Sequence, residues 1–122
     1  MLKKILLLSL CLLFVLVGCG NDDSKEGLIS YMKAKELIIN EGAVLLDVRT
    51  EDEYNENHID GALLLTLDTI TEETATALIS DKDSEIIVYC RSGKRSSEAK
   101  SKLEDLGYTN VYDLGSIDNW KE

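Results

Sequence analysis

A single cysteine precedes a short loop of glycine, serine and cationic residues. Cys90 ends the apolar run 86–89, and the loop 91–96 follows it directly. The thiolate form of cysteine is the nucleophile, and cationic side chains and helix N-termini stabilise that form. The cations of this loop are Arg91, Lys94 and Arg95. These residue types at this spacing predict an anion-binding loop around one reactive thiol.

The backbone of this loop is expected to bind an anion as well. Gly93 permits backbone conformations that side chains resist, so successive N–H groups can curl into an anion-binding nest. A helix beginning near Ser96 would add the partial positive charge of its N-terminus. Arg95 has a planar fork that suits two oxygens, so we expect it to anchor the loop or a substrate oxyanion.

The remaining loop residues are assigned supporting roles. Arg91 and Lys94 are expected to steer anions at the rim of the site. Ser92 and Ser96 can add hydroxyl hydrogen bonds, and helix capping is the main role expected of Ser96.

Apolar runs that alternate with helical patterns predict a small α/β domain. Buried parallel strands are expected over 43–48 and 85–89, and short strands over 62–65 and 110–113. Helices are expected over 30–40, 50–56, 72–79 and 96–106, with a final turn over 115–120. The expected architecture is a mainly parallel central sheet with helices on both faces. Ligands bind such sheets at the carboxyl ends of the strands, where Cys90 would lie.

The N-terminal residues predict export and attachment to a membrane. Lys3 and Lys4 precede a largely apolar stretch at 5–17. As a helix this stretch spans about 20 Å, too short for a bilayer core of about 30 Å, which favours a cleaved signal. The following Leu16-Val17-Gly18-Cys19 resembles the lipobox of bacterial lipoproteins, which implies cleavage before Cys19 and lipid on its sulfur. An ordinary secretory signal with an incidental cysteine is the alternative.

These patterns divide the chain into three parts. The parts are a removed signal peptide at 1–18, a lipidated N-terminus and tether at 19–28, and one folded domain at 29–122, held on the extracytoplasmic side of the cell membrane. Cys11 would leave with the signal and Cys19 would carry lipid, so Cys90 would be the one thiol of the domain. A lone thiol outside the cytoplasm indicates a chemical role. The net charge of −10 argues against nucleic acid as a partner.

The predicted domain resembles the rhodanese-like sulfurtransferases along almost its whole length. The matching segments are Leu46-Asp47-Val48-Arg49 with Glu53-Tyr54, His58-Ile59-x-Gly61-Ala62, the run 88–96, and Leu114-Gly115 with Trp120. Asp60 departs from the pattern, since proline is frequent at its position in the family. The resemblance implies a rhodanese-like fold and a sulfane sulfur carried as a persulfide on Cys90. It implies a small anionic donor such as thiosulfate and a nucleophilic acceptor, cyanide or a thiol. It implies no cofactor.

The resemblance also implies supporting roles for residues outside the loop. Asp47 and Arg49 would hold the active-site framework together, with Arg49 paired to an acid such as Glu53. His58, the only histidine, lies in a predicted tight turn, which favours a structural hydrogen bond over a general base. One histidine and one free cysteine cannot supply the three or four ligands of a metal site.

Other functions are compatible with the same fold. Related phosphatases and arsenate reductases place five residues between cysteine and arginine, whereas four residues separate Cys90 from Arg95. A non-catalytic binding or scaffold domain is a second alternative, although inactive relatives commonly lack the loop cysteine. A self-contained disulfide oxidoreductase is disfavoured because the domain offers no second cysteine.

Overall fold

The computed structural model describes residues 27–121, in which helices and strands alternate along the chain. The strands are β1 (Val44–Asp47), β2 (Leu63–Leu64), β3 (Glu85–Cys90) and β4 (Asn110–Ser116). The α-helices are α1 (Tyr31–Glu41), α2 (Glu51–Glu56), α3 (Glu72–Leu78) and α4 (Lys94–Asp105), and short 3-10 turns lie at Leu67–Thr69 and Ile117–Asn119. The predicted signal peptide and Cys19 lie outside the described residues. Within 27–121, no helix is long and apolar enough to cross a membrane.

The four strands form one parallel sheet in the order β2-β1-β3-β4. This arrangement confirms the predicted α/β fold with a parallel sheet. Asp47 pairs with Tyr89 at the carboxyl ends of the two central strands. Cys90 is the last residue of β3, so the thiol and the Asp47 carboxylate lie at the same edge of the sheet.

Two apolar clusters cover the two faces of the sheet, as expected. Ile86, Val88 and Cys90 belong to the cluster that contains residues of α3 and α4. Ile87 and Tyr89 belong to the other cluster, which contains residues of α1. The alternation follows from the two-residue side-chain period of a strand. It turns the Cys90 side chain toward the face that α4 covers.

Helix α4 begins at Lys94, two residues earlier than its expected start at Ser96. Gly93 precedes it with a φ of 105°, a left-handed conformation that glycine adopts at little cost and that reverses the chain directly after β3. The expected capping role of Ser96 is therefore wrong, because Ser96 is the third residue of the helix. Its hydroxyl instead donates a hydrogen bond to the Gly93 carbonyl at 3.2 Å.

Strand β4 extends to Ser116, three residues beyond its expected end. An irregularity in the pairing with β3 allows this extension: Asp113 pairs with Val88, but Gly115 pairs with Tyr89. Sequence patterns do not report such a shift in register, since it depends on the neighbouring strand. The N-terminus of α2 agrees with expectation, with Thr50 and Glu53 forming a reciprocal capping box.

Replacing Gly115 by alanine should destabilise the fold more than the same change at Gly42. Both glycines have positive φ, 85° at Gly115 and 68° at Gly42, so each alanine pays about 1–2 kcal/mol of backbone strain. A Cβ at Gly115 would also lie 3.1 Å from Asn119 Nδ2 and 3.3 Å from Leu28 Cδ1, whereas the Gly42 position is open. We expect urea denaturation to show a loss of about 2–3 kcal/mol for Gly115→Ala and about 1 kcal/mol for Gly42→Ala. Equal losses would contradict the close approach at Gly115.

Candidate active site

Two backbone N–H groups donate hydrogen bonds to the Cys90 sulfur. The Gly93 nitrogen lies 3.0 Å from Sγ and the Ser96 nitrogen lies 3.3 Å from it. Gly93 is the N-cap of α4 and Ser96 is its third residue, so both donors belong to the positive end of this helix. Cys90 is fully buried. These contacts stabilise an anionic sulfur without a neighbouring base.

The surroundings of the sulfur are otherwise apolar. Cys90 belongs to the same cluster as Val88, Ala99 and Leu103, and each of these residues is fully buried. Hydrogen bonds and helix charges are stronger in such a medium of low polarity than in water. The two N–H donors therefore act on Cys90 with little screening.

Arg95 anchors the loop to helix α2. Its Nη1 and Nη2 donate to the two carboxylate oxygens of Glu53 at 2.8 and 3.1 Å. Of the two roles expected of Arg95, the structure gives it the loop anchor, because the fork is occupied by Glu53. Hydrogen bonding from Arg95 is the main cause that lowers the pKa of Glu53 to about 2, and hydrogen bonds from Thr50 lower it further.

A second ion pair, between Arg49 and Asp47, is almost completely buried. Arg49 Nε and Nη2 donate to the Asp47 carboxylate at 2.7–3.1 Å, and the Arg49 backbone N–H donates to Asp47 Oδ1 at 2.9 Å. The expected pairing of Arg49 with Glu53 is therefore wrong. Asp47 is closer in the chain and binds both the backbone and the side chain of Arg49, while Glu53 binds Arg95. The hydrogen bond to Asp47 is the main cause that raises the pKa of Arg49.

Tyr89 joins this ion pair to the turn that follows α2. Its hydroxyl donates to Asp47 Oδ2 at 2.7 Å and accepts the Ile59 N–H at 3.1 Å. Arg49 Nη2 also donates to the Asn57 carbonyl at 2.6 Å. Burial is the main cause that raises the pKa of Tyr89. One buried and one partly buried hydrogen bond thus tether the segment 57–59 to the ends of β1 and β3.

His58 contacts Tyr54 rather than the thiol loop. Its ring stacks on the Tyr54 ring with centroids 3.7 Å apart, and its Nδ1 lies 2.8 Å from the Tyr54 carbonyl oxygen. The Tyr54 hydroxyl donates to the Ala62 carbonyl at 2.6 Å. These contacts hold the turn between α2 and β2.

The remaining loop side chains lie at the surface. Arg91, Ser92 and Lys94 are exposed. Arg91 Nη1 approaches Glu53 Oε2 at 4.0 Å, a distance at which an exposed pair contributes little to stability. No group of three or more potential metal ligands is found among residues 27–121.

Two adjoining clefts open beside the loop. The first, of about 270 Å³, is lined by Arg49, Glu53, Glu56, Asn57, Arg91, Ile117 and Asp118. The second, of about 440 Å³, is lined by Asn57, His58, Ile59, Asp60, Ile117, Asp118 and Trp120. Asn57, Ile117 and Asp118 line both, so the two clefts share a wall.

Sequence reasoning missed several residues of this region. Tyr89 has the features of an ordinary strand residue in the sequence. Asn57 contributes its backbone carbonyl to Arg49, and a backbone contact leaves no mark on residue type. The sequence therefore did not indicate a role for either residue. Asp113 was missed as well: it is buried on β4, and its Oδ1 accepts the Gly115 N–H at 2.8 Å. Burial is the main cause that raises the pKa of Asp113, and the hydrogen bond from the Gly115 N–H opposes that effect. An acidic residue inside an apolar strand was the available signal.

The comparisons with known proteins agree with this geometry. Residues 30–122 match the family model of the rhodanese-like domain. This chain belongs to that family. It is 33% identical over 93 residues to the thiosulfate sulfurtransferase PspE of Escherichia coli (strain K12), covering 76% of this chain and 88% of the relative. It is 36% identical over 94 residues to the thiosulfate sulfurtransferase GlpE of Coxiella burnetii, covering 76% and 85%.

A solved structure with the same fold is the rhodanese with anions from E. coli. It is 31% identical, with a TM-score of 0.59, and the match covers 63% of this chain and 89% of the other. The domain also occurs inside longer proteins. A tRNA uridine(34) hydroxylase of Erwinia tasmaniensis is 35% identical over 91 residues, but these are only 26% of that protein.

Replacing Glu53 by glutamine should loosen the loop without removing the cap of α2. Glutamine can serve in a capping box as glutamate does, but it leaves Arg95 without its charged partner. We expect a loss of about 1–2 kcal/mol in the free energy of unfolding and faster hydrogen exchange at the Gly93 and Ser96 amides. Thr50→Ala is the matched control, because it weakens the cap by about 1 kcal/mol while the ion pair remains.

The contribution of the Glu53 carboxylate should also depend on pH. Its pKa is lowered in the folded protein, from 4.5 to about 2, so the stabilisation is complete above pH 4.5 and is lost as the pH falls toward 2. The difference in unfolding free energy between the wild type and Glu53→Gln should shrink over that range. A difference independent of pH, or equal loop exchange in both variants, would contradict the anchoring role.

Proposed function

We propose that this protein is a sulfurtransferase that carries a sulfane sulfur as a persulfide on Cys90. The observation that carries the proposal is the pair of N–H donors, Gly93 and Ser96, aimed at Sγ from the start of α4. Thiolate and persulfide are both anions that such donors stabilise. Similarity to proteins named thiosulfate sulfurtransferase supports the same chemistry.

The proposed first step needs no reagent besides the donor. The Cys90 thiolate attacks the outer sulfur of thiosulfate, a bond forms between these two sulfurs, and the bond to the inner sulfur breaks. Sulfite leaves with that electron pair, and Cys90 holds a persulfide. The acceptor then attacks the terminal sulfur, and the electron pair of the broken S–S bond returns to Cys90. Cyanide would leave as thiocyanate, and a thiol as a new persulfide.

The cations of the loop have different parts in this proposal. Arg91 and Lys94 are exposed and attract the anionic donor to the mouth of the site. Arg95 does not hold the donor, because Glu53 occupies its fork. The bound anion is instead stabilised by the backbone amides and the start of α4.

The position of Arg95 also distinguishes this reaction from phosphoryl transfer. A phosphatase of related fold must wrap its loop around a tetrahedral oxyanion, and the arginine fork then binds two of its oxygens. Here the loop has four residues between Cys90 and Arg95, and the fork binds Glu53. Both features favour a site for a single added sulfur atom.

A scaffold function is the alternative from a different class. Such a function requires neither a cysteine at position 90 nor donors directed at its sulfur. Modification of Cys90 separates the two: sulfur transfer would stop, whereas a scaffold would keep its partner.

Cys90→Ser should abolish sulfur transfer and preserve the fold, because a serine hydroxyl can accept the same two N–H groups. The wild-type protein, treated with thiosulfate, should gain the mass of one sulfur atom in intact mass spectrometry and lose it on addition of cyanide. Cys90→Ser treated in the same way should gain no mass. Thiocyanate production by Cys90→Ser at the wild-type rate would overturn the proposal.

We also propose that the domain is a lipoprotein on the extracytoplasmic side of the cell membrane. The support is the order of Lys3 and Lys4, an apolar stretch and Leu16-Val17-Gly18-Cys19. Cys19→Ala should prevent lipid attachment, so the protein should leave the membrane fraction or remain unprocessed. Immunoblots of the membrane and soluble fractions measure both effects. Unchanged fractionation and processing of Cys19→Ala would contradict this part of the proposal.

A further inference from the structure

Strand β4 has a bulge beside the thiol loop. Two successive residues of β3 pair with Asp113 and Gly115 and leave Leu114 between them as an extra residue. Gly115 has a φ of 85°, in the left-handed region. The residue after it, Ser116, pairs with Cys90. The bulge therefore lies next to the end of β3 that carries the thiol.

Two side chains hold this bulge by hydrogen bonds to its backbone. Asp113 Oδ1 accepts the Gly115 N–H at 2.8 Å, which closes a turn within the strand. Asn119 Nδ2 donates to the Leu114 carbonyl at 2.8 Å. Asp113 is buried and Asn119 is partly buried. An unpaired backbone group is costly in such surroundings, so each of the two side chains fixes one residue of the bulge.

The bulge lies against the residue from which α4 begins. A Cβ built on Gly93 would lie 3.8 Å from the Gly115 Cα, the distance of ordinary van der Waals contact. The Gly93 N–H donates to the Cys90 sulfur, and the Gly93 carbonyl accepts the Ser96 hydroxyl at 3.2 Å. Ser96 supplies the second N–H to the sulfur. A displacement of Gly115 would therefore move both donors through Gly93.

We propose that Asp113 and Asn119 are positioning residues of the thiol loop. They hold the bulge of β4 against Gly93, and the bulge keeps the N–H groups of Gly93 and Ser96 directed at the Cys90 sulfur. The two side chains act through the backbone, since the hydrogen bonds described for the sulfur come from the two amides. The inference goes beyond the proposed function, because it concerns the ionisation of the thiol and its test needs no sulfur transfer.

The charge of Asp113 and its hydrogen bond have opposite effects on the thiol. A negative charge on the neighbouring strand disfavours a thiolate, whereas the bulge that the carboxylate holds favours a thiolate. Alanine at this position removes the charge and the acceptor together. Asparagine removes the charge and keeps an acceptor oxygen for the Gly115 N–H. The two variants therefore separate positioning from charge.

The pH profile of alkylation of Cys90 by iodoacetamide tests the proposal, because the thiolate is the form that reacts. The rate is followed by mass spectrometry of the peptide that contains Cys90. We expect the midpoint of Asp113→Ala to lie about one pH unit above that of the wild type, the effect of weaker hydrogen bonds to a charged group. Asp113→Asn should have a midpoint equal to that of the wild type or below it.

Tyr108→Phe is the control for a loss of stability alone. Tyr108 is also buried, and its hydroxyl donates to the Ile79 carbonyl, away from the thiol loop. The variant loses one buried hydrogen bond, as Asp113→Ala does. Its alkylation midpoint should equal that of the wild type.

A second pair of variants tests the proposal if Asp113→Ala does not fold. Asn119→Ala removes the donor to the Leu114 carbonyl from a partly buried position. Asn110→Ala is the matched control, because Asn110 Nδ2 donates to the Asp83 carbonyl at 2.9 Å from the amino end of the same strand. We expect Asn119→Ala to raise the midpoint by about half a pH unit and Asn110→Ala to leave it unchanged.

Sulfur uptake from thiosulfate gives a second readout. Asp113→Ala should take up sulfur more slowly than the wild type at neutral pH and recover when the pH is raised above its midpoint. The inference is overturned if neither Asp113→Ala nor Asn119→Ala raises the alkylation midpoint, if Asp113→Asn raises it as much as Asp113→Ala, or if the two control variants raise it equally. A wild type that takes up no sulfur would instead overturn the proposed function, and the alkylation profiles would still decide the role of the two side chains.

Discussion

The pair of N–H bonds from Gly93 and Ser96 to the Cys90 sulfur is the interaction on which the site depends. It requires a strand that ends at the cysteine, a left-handed residue three positions later and a helix that begins immediately after it. A side chain at Gly93 would strain that conformation, so both donors would move away from the sulfur. The sulfur is also buried in an apolar cluster, where few other groups could stabilise its negative charge.

Two ion pairs hold this arrangement in place, and they do different work. The Glu53–Arg95 pair fixes the loop from outside, because it joins the first turn of α4 to the capping box of α2. The Asp47–Arg49 pair is internal and fixes the carboxyl ends of β1 and β3 to the turn after α2. The guanidinium groups of Arg49 and Arg95 both bind carboxylates, so backbone amides rather than these two side chains face an anion at the sulfur. The architecture thus favours a small group attached to the sulfur over a large oxyanion.

Local sequence signals predicted the strands, the order of the helices and the place of Cys90 at the carboxyl end of β3. The apolar run before Cys90, the Thr50–Glu53 capping box and the glycine of the loop each have a direct physical meaning that needs no distant contact. The partner of Arg95 could not be read in this way, since Glu53 and Arg95 are far apart in the chain. Arg49 lies only two residues from its partner Asp47, so that pairing was within reach of the sequence and was assigned to the wrong acid. The early start of α4 and the extension of β4 follow from a left-handed Gly93 and a shift in strand pairing. Tyr89 was missed for the same reason, because its role arises only when the fold brings Asp47 and Ile59 to its hydroxyl. Asp113 was missed although an acidic residue inside an apolar strand was an available signal.

The most direct test of the central interaction is a nuclear magnetic resonance titration of the backbone amides of 91–96. The Gly93 and Ser96 amide protons should shift downfield together as the Cys90 sulfur is deprotonated, and should shift again when conversion to the persulfide moves the negative charge from Sγ to the terminal sulfur. The Lys94 amide, which is not directed at the sulfur, should respond much less, and Cys90→Ser should abolish the response. If the Gly93 and Ser96 amides do not respond to the state of the sulfur, the account of a thiolate held by the start of α4 is contradicted.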